Sequence, residues 1–140
     1  MKQLYEIMEF AFRKHDEQKD KAGMPYILHI VAVSLGVKDD KEKAVALLHD
    51  VLEDTDTTPQ ELLDFGIDKD VVDAVVLLTR DNHEDYMEYV KRLASNPLAR
   101  AVKMSDLRHN MQMDRIPNPT EKDFKRLEKY KKAYAYLESL

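Results

Sequence analysis

Apolar positions along the chain recur at the spacing of helices rather than strands. Near the N-terminus, Leu4, Ile7, Met8, Ala11 and Phe12 fall at i, i+3, i+4, i+7 and i+8, so they predict a first helix with one buried face. No stretch of the chain alternates apolar and polar residues as a half-buried strand does. The pattern therefore predicts an all-α protein.

Prolines, glycines and capping residues divide the rest of the chain into further helices. The stretch 58–61, Thr-Pro-Gln-Glu, is typical of a capping box with proline at the first helical position. Comparable breaks fall at residues 23–25, 36, 39–40, 66–68, 80–83, 96–97 and 117–120. Together they predict a bundle of about seven or eight helices, and the length of 140 residues favours a single domain over 1–140.

The helix predicted to start at Asp39 and Asp40 is unusual, because residues 44–52 are apolar almost all round. Such a helix belongs in the middle of a bundle. It nevertheless contains the adjacent polar residues His49 and Asp50. A buried aspartate beside a buried histidine is costly without a cation.

Composition narrows the available chemistry. The chain has no cysteine, which excludes disulfides, thiol nucleophiles, cysteine zinc sites and iron–sulfur clusters. Its net charge of −5 argues against general nucleic-acid binding, and no segment approaches the roughly 20 apolar residues of a membrane span. We therefore expect a cytoplasmic protein that acts on neither nucleic acid nor membrane, and nothing in the pattern indicates an oligomeric state.

Polar residues inside three apolar helices are candidate ligands for a divalent cation such as Mn²⁺, Fe²⁺, Zn²⁺ or Mg²⁺. These candidates are His29, His49, Asp50 and Asp106. Two of the four have a plainer alternative, whereas the adjacent pair His49 and Asp50 is harder to explain without a cation. His29 alone could be a core histidine bonded to a carbonyl, and Asp106 alone could pair with Lys103 or Arg108.

Glu53 and Asp54 lie one helical turn beyond His49 and Asp50. A carboxylate at that spacing from a metal ligand is placed to hold or deprotonate a water molecule at the metal. The alternative is an acidic helix end, although carboxylates are unfavourable near a helix C-terminus. Asn110, one turn after Asp106, could bond to a ligand.

These motifs, in this order, resemble the H…HD…D signature of HD-domain metal-dependent phosphohydrolases. The local context resembles the hydrolase domain of RelA/SpoT-type alarmone enzymes, and the similarity covers roughly residues 4–115. The segments that carry it are GMPYILH at 23–29, ALLHDVLEDT at 46–55, FG at 65–66, LT at 78–79 and VKMSDLRHNM at 102–111.

The resemblance implies an all-α HD fold that binds Mn²⁺ and removes the 3′-pyrophosphate of guanosine tetra- or pentaphosphate, a small-molecule nucleotide. It implies His29, His49, Asp50 and Asp106 as the metal ligands. It further implies that Glu53 and Asp54 position and activate the water, and that Asn110 lies near the ribose and phosphate. The length is similar to that of a stand-alone small alarmone hydrolase.

The chain departs from the family pattern outside the metal ligands. Asp20 stands where an arginine facing the guanine is expected, with Lys19 and Lys21 beside it. Ile30 replaces the usual proline, Leu107 replaces the usual basic residue, and the segment 80–96 is compact. Two alternatives therefore stay open: a phosphatase acting on another nucleotide, such as a nucleoside monophosphate or a phosphorylated dinucleotide, and a catalytically silent nucleotide-binding module.

Several remaining side chains are weaker candidates. Basic groups must balance the phosphates of a nucleotide, and the candidates are Lys19, Lys21, Arg80, Lys103 and Arg108. Tyr86 and Tyr89 could stack on a base, although their helical spacing is more typical of core packing. We expect His15 and His83 at the surface, whereas a position of His109 at the pocket edge, beside Asn110, is the less favoured alternative.

Overall fold

The computed structural model describes residues 1–112 and 116–140, and within them the chain is helical. The helices are α1 (Leu4–Lys14), α2 (Ile27–Leu35), α3 (Asp40–Leu48), α4 (Val51–Asp54), α5 (Pro59–Phe65), α6 (Lys69–Leu78), α7 (Tyr86–Leu93), α8 (Pro97–Asn110) and α9 (Glu121–Glu138). An isolated β-bridge joins Lys19 to Pro25 in the loop between α1 and α2. The prediction of an all-α fold is confirmed.

Capping residues set the helix boundaries where the sequence indicates them. Thr58, Asn96 and Thr120 each accept a hydrogen bond from the backbone N–H three residues further on, which satisfies a group that the first turn leaves unpaired. Gly66 ends α5 in the left-handed conformation with φ of 109°, which glycine adopts without steric cost. These local signals explain why the predicted boundaries lie close to the observed ones.

The predicted third helix is interrupted, which corrects the expectation that His49 and Asp50 lie within one continuous helix. The helix α3 ends at Leu48, α4 begins at Val51, and Asp50 leaves the helical conformation with φ of −107° and ψ of 1°. Nδ1 of His49 donates a hydrogen bond to the carbonyl oxygen of Ala46 (2.6 Å), the acceptor that an uninterrupted helix would pair with the N–H of Asp50. The break gives nine described helices instead of seven or eight.

The helix α3 occupies the centre of the bundle and packs against α1, α2, α6 and α8. Its residues 44–48 are almost completely buried, as the apolar pattern predicts. None of the helices in the described part of the chain combines the length and apolarity needed to cross a bilayer.

His15 lies in the interior, so the expectation that it is a surface residue is wrong. Its side chain is held where the loop after α1 folds back, and only 2% of the residue is exposed. Nδ1 of His15 is 2.7 Å from Oε1 of Gln18, and its ring centroid is 5.3 Å from that of Tyr26. His83 is exposed, as predicted.

The helices α2 and α8 approach closely at Gly36, next to residues of the candidate site. Oγ of Ser105 donates a hydrogen bond to the carbonyl oxygen of Val33 (2.8 Å), and Arg108 donates to the carbonyl oxygen of Gly36 (3.0 Å). A Cβ atom at residue 36 would overlap with Oγ of Ser105. The missing side chain therefore sets how closely Asp106, the neighbour of Ser105, comes to α2.

We predict that Gly36→Ala destabilises the fold by about 1–3 kcal/mol, because overpacking of this contact forces the two helices apart. Urea unfolding measures the change. Ser105→Ala removes the oxygen that the new methyl group meets, so the double variant should lose less stability than the sum of the two single variants. Additive losses would show that the contact between α2 and α8 does not limit the space at residue 36.

Candidate metal centre and nucleotide pocket

Three helices bring their polar side chains together in the protein interior. His29 comes from α2, His49 from the end of α3 and Asp106 from α8. All three are buried, and each offers one ligand atom within 4.8 Å of the others. Two imidazoles and a carboxylate in an apolar interior form a set of donors suited to a divalent transition metal.

The imidazole of His49 shows why a cation fits there. Because Nδ1 donates to the carbonyl of Ala46, Nε2 of the neutral ring carries a lone pair. Nε2 lies 3.0 Å from Oδ2 of Asp50 and 3.4 Å from Oδ1 of Asp106, yet it has no hydrogen-bond partner of good geometry among the described residues. Electron pairs that face one another at this distance are stable only with a positive charge between them.

His29 reaches Asp106 with one nitrogen and His109 with the other. Its Nε2 lies 2.8 Å from Oδ1 of Asp106, and its Nδ1 lies 2.7 Å from Nδ1 of His109. A histidine that binds a metal through one nitrogen commonly donates its other N–H to a fixed acceptor. The structure therefore places His109 behind a candidate ligand rather than at the pocket edge.

Asp50 lies beside the group of three ligand atoms. The hydroxyl of Tyr26 donates a hydrogen bond to Oδ2 of Asp50, the oxygen nearest to His49. Burial alone would raise the pKa of Asp50, but His49 lowers it to about 2. In turn, burial alone would lower the pKa of His49, whereas Asp50 and Asp106 raise it well above the usual range.

Lys103 neutralises part of the negative charge of Asp106. Its Nζ lies 3.1 Å from Oδ2 of Asp106, and Asn110 donates a hydrogen bond to Oδ1 of the same carboxylate (3.1 Å). Burial alone would raise the pKa of Asp106, but Lys103 and the two histidines hold it well below its usual range. The sequence offered pairing with Lys103 as an alternative to metal binding by Asp106, and the structure shows this pair. Both residues also line the first cavity.

Glu53 and Asp54 stand at the rim of the site on the short helix α4. Oε1 of Glu53 accepts a hydrogen bond from the backbone N–H of Arg80 (2.9 Å), and Oδ2 of Asp54 accepts one from Nε2 of Gln18 (3.0 Å). Gln18 is itself held by His15. Partial removal from water at the rim raises the pKa of both carboxyl groups.

Two adjoining cavities open at this site, of about 230 Å³ and about 310 Å³. Together they match the size range of about 300–1,000 Å³ that is usual for small-ligand pockets. The first contains the metal candidates other than His29, and its further lining residues are Tyr26, Glu53, Asp54, Leu78, Arg80, Tyr86, Tyr89, Lys103, Asn110, Lys129 and Tyr130. Tyr26, Asn110 and Tyr130 also line the second cavity, so the two cavities lie on either side of these three residues.

The basic candidates separate into three groups. Arg80 and Lys103 line the first cavity, and Lys19 and Lys21 line the second. Arg108 lines neither, because its guanidinium donates to the carbonyl of Gly36 and lies near the hydroxyl of Tyr134. The structure therefore does not bring Arg108 to the wall of either cavity.

Three pocket residues were not among the site residues predicted from the sequence. Tyr26 bonds to Asp50, and Lys129 and Tyr130 reach the cavities from α9, which lies beyond the segment that carries the family resemblance. Tyr89 packs in the core with its hydroxyl donating to the carbonyl of Leu78 (2.6 Å), as its spacing suggested. No local sequence signal marks a lysine on an amphipathic helix as a pocket residue.

We predict that Lys103→Met destabilises the metal-free protein by about 3 kcal/mol, because it leaves the buried carboxylate of Asp106 without its cation. Adding Mn²⁺ should restore more stability to this variant than to the wild type, since the ion replaces the lost positive charge. Thermal unfolding with EDTA and with Mn²⁺ measures both effects. Lys125→Met, at an exposed position on α9, is the control. If Mn²⁺ raised the unfolding temperature of Lys103→Met and of the wild type by the same amount, the ion would not replace the charge of Lys103 at Asp106.

The chain is similar to proteins named as alarmone hydrolases. No protein-family model matches the chain. The chain is 37% identical to the human guanosine-3′,5′-bis(diphosphate) 3′-pyrophosphohydrolase MESH1, an alignment that covers 78% of the chain and 68% of that protein. It is 34% identical to the mouse MESH1, over 91% of the chain and 78% of that protein.

Longer enzymes match as well. The chain is 38% identical to the guanosine-3′,5′-bis(diphosphate) 3′-pyrophosphohydrolase of Aquifex aeolicus over 74% of its own length, but it spans only 16% of that enzyme. A solved structure, described as a metazoan orthologue of SpoT that hydrolyses ppGpp, superposes with a TM-score of 0.79 over 96% of the chain and 84% of its own, at 24% identity. That superposition confirms the predicted HD-type fold. The chain belongs to the guanosine-3′,5′-bis(diphosphate) 3′-pyrophosphohydrolase family of MESH1 and SpoT.

Proposed function

We propose that the protein is a metal-dependent hydrolase that converts guanosine 3′,5′-bis(diphosphate) into GDP and pyrophosphate. The observation that carries this proposal is the buried group of His29, His49 and Asp106, which opens into a cavity with Glu53 and Asp54 at its rim. The names of the related enzymes agree with it. We further propose that residues 1–140 act as a single hydrolase domain, since the described helices share one core.

The proposed metal ligands are His29, His49, Asp50 and Asp106. A mixed set of imidazoles and carboxylates suits Mn²⁺, which we propose as the resident ion, and Fe²⁺, Zn²⁺ or Mg²⁺ are the alternatives. When bound, a divalent cation supplies Lewis acidity that polarises a phosphoryl oxygen and makes a water molecule more acidic. The unpaired Nε2 of His49 is the structural feature that such an ion would satisfy.

The reaction replaces one oxygen on phosphorus by another. The oxygen of water forms a bond to the phosphorus attached to the 3′ oxygen, the bond between that phosphorus and the 3′ oxygen breaks, and the 3′ oxygen takes up a proton. Glu53 and Asp54 accept or steer the proton of the water, a role that suits carboxyl groups whose pKa is raised. Asn110, beside Asp106 and on the wall of both cavities, orients the ribose and phosphate.

The second cavity is the proposed location of the nucleoside, with Lys19 and Lys21 as further basic contacts. One observation there favours a second candidate substrate class. The carboxylate of Asp20 accepts hydrogen bonds from the backbone N–H groups of Ala22 (2.9 Å) and Met24 (3.0 Å), so it shapes the turn at a position where the family has an arginine for guanine. A phosphatase acting on another nucleotide is therefore the competing proposal.

We predict that Glu53→Gln keeps stoichiometric metal and lowers kcat by a factor of about 100 or more, because the amide cannot accept the proton of the water. Metal content by elemental analysis and steady-state kinetics measure the two effects. Glu128→Gln, an exposed substitution on α9, serves as the control. Unchanged kcat in Glu53→Gln would remove this residue from proton transfer, and loss of the metal would make it a ligand instead.

We expect the Mn²⁺-loaded protein to release pyrophosphate from guanosine 3′,5′-bis(diphosphate), since water attacks the phosphorus bonded to the 3′ oxygen. Incubation with a panel of nucleotides, with pyrophosphate and orthophosphate followed separately, measures the outcome. Orthophosphate from a nucleoside monophosphate or a phosphorylated dinucleotide would support the competing phosphatase. Metal binding without turnover of any nucleotide would instead indicate a silent binding module.

A further inference from the structure

Three cationic side chains from different elements surround one aromatic ring in the first cavity. Nζ of Lys129 lies 4.5 Å from the ring centroid of Tyr86, Cζ of Arg80 lies 5.4 Å from it, and Nζ of Lys103 lies 5.5 Å from it. Lys129 comes from α9, Arg80 from the loop after α6 and Lys103 from α8. The three charges therefore converge only in the folded chain.

These cations are not neutralised to the same extent. Lys103 is paired with Asp106, whereas no carboxylate of the described residues lies within ion-pair distance of the side chain of Lys129 or of Arg80. Burial, then Arg80, Arg126 and Lys103, lower the pKa of Lys129. The surroundings of Lys129 are thus dominated by other positive groups.

Attraction between cations and an aromatic face does not account for this arrangement. One cation satisfies such a contact, while further cations at the same ring repel the first. In addition, the hydroxyl of Tyr86 is buried at the cavity wall without a hydrogen-bond partner among the described residues. Two cations without a carboxylate partner and a buried hydroxyl together offer hydrogen-bond donors to the cavity, which is the chemistry of an anion site.

The position of the cluster indicates which anion it takes. Arg80, Tyr86 and Lys129 line the cavity that holds Glu53 and Asp54, and they do not line the second cavity. A nucleoside in the second cavity would place its reacting phosphate between the two regions, near the metal candidates. Any phosphate attached beyond the reacting one would then extend towards Tyr86.

We propose that Lys129, Arg80 and the hydroxyl of Tyr86 bind the outer phosphate of a pyrophosphate group and thereby select pyrophosphate esters over monophosphate esters. This inference rests on the proposed function, in which the attacked phosphorus keeps its bond to the bridging oxygen and the outer phosphate remains attached. That outer phosphate carries negative charge and several acceptor oxygens. The arginine offers it a planar pair of donors, and the lysine offers it a point charge.

Calorimetric titration of the Mn²⁺-loaded protein with inorganic pyrophosphate and with orthophosphate tests the proposal, with the heat of Mn²⁺ and anion alone subtracted. We expect Lys129→Gln to weaken pyrophosphate binding by about 10- to 100-fold, the loss typical of a charge-assisted hydrogen bond, and to change orthophosphate binding by less than about threefold. The matched control is Lys125→Gln, which removes the same charge one turn away at an exposed position. Arg80→Gln should resemble Lys129→Gln.

Two results would overturn the proposal: equal losses for pyrophosphate and orthophosphate, or a loss in Lys129→Gln no larger than in Lys125→Gln. Tyr86→Phe gives a second measurement, because it keeps the ring and removes only the hydroxyl. We expect it to weaken pyrophosphate binding severalfold. Because anion binding is measured without turnover, the proposed site for the outer phosphate and the proposed hydrolase activity can fail independently. A protein that binds pyrophosphate through Lys129 but leaves guanosine 3′,5′-bis(diphosphate) intact would overturn the activity and support this site.

Discussion

The structure depends on one electrostatic constraint, the repulsion between the lone pair on Nε2 of His49 and the carboxylate oxygens around it. Because the other nitrogen of the ring is committed to the carbonyl of Ala46, Nε2 faces the oxygens of Asp50 and Asp106 inside the protein. A proton or a metal ion must stabilise that contact. Lys103 and the hydroxyl of Tyr26 approach the two carboxylates from outside, so the bundle already supplies part of the charge balance.

The interruption between α3 and α4 separates the buried end of the core helix from the carboxylates at the rim of the candidate site. An uninterrupted helix would keep residues 49–54 on the cylinder of α3, in the middle of the bundle. Instead, His49 remains buried at the end of α3, while the short helix α4 carries Glu53 and Asp54 out to the rim. Within six residues, the chain thus places candidate metal ligands in the interior and two carboxylates at the solvent side.

Much of the fold could be predicted because its signals are local. Thr58 and Asn96 cap helices through hydrogen bonds to neighbouring residues, and periodic apolar residues define the buried faces. What sequence reasoning missed depends on contacts between distant segments. His15 is buried because the loop after α1 folds over it, and Lys129 reaches the cavity because α9 packs beside α8. Neither position differs in sequence pattern from an ordinary surface residue.

Tyr26 lines both cavities. Its hydroxyl holds Asp50 at the metal candidates, while its ring forms part of the wall of the second cavity and contacts the rings of His15 and His29. A nucleoside in the second cavity would therefore contact the same side chain that bonds to Asp50. If a metal ion and a nucleoside were both bound through Tyr26, thermodynamic linkage would require each to change the affinity of the other by the same factor.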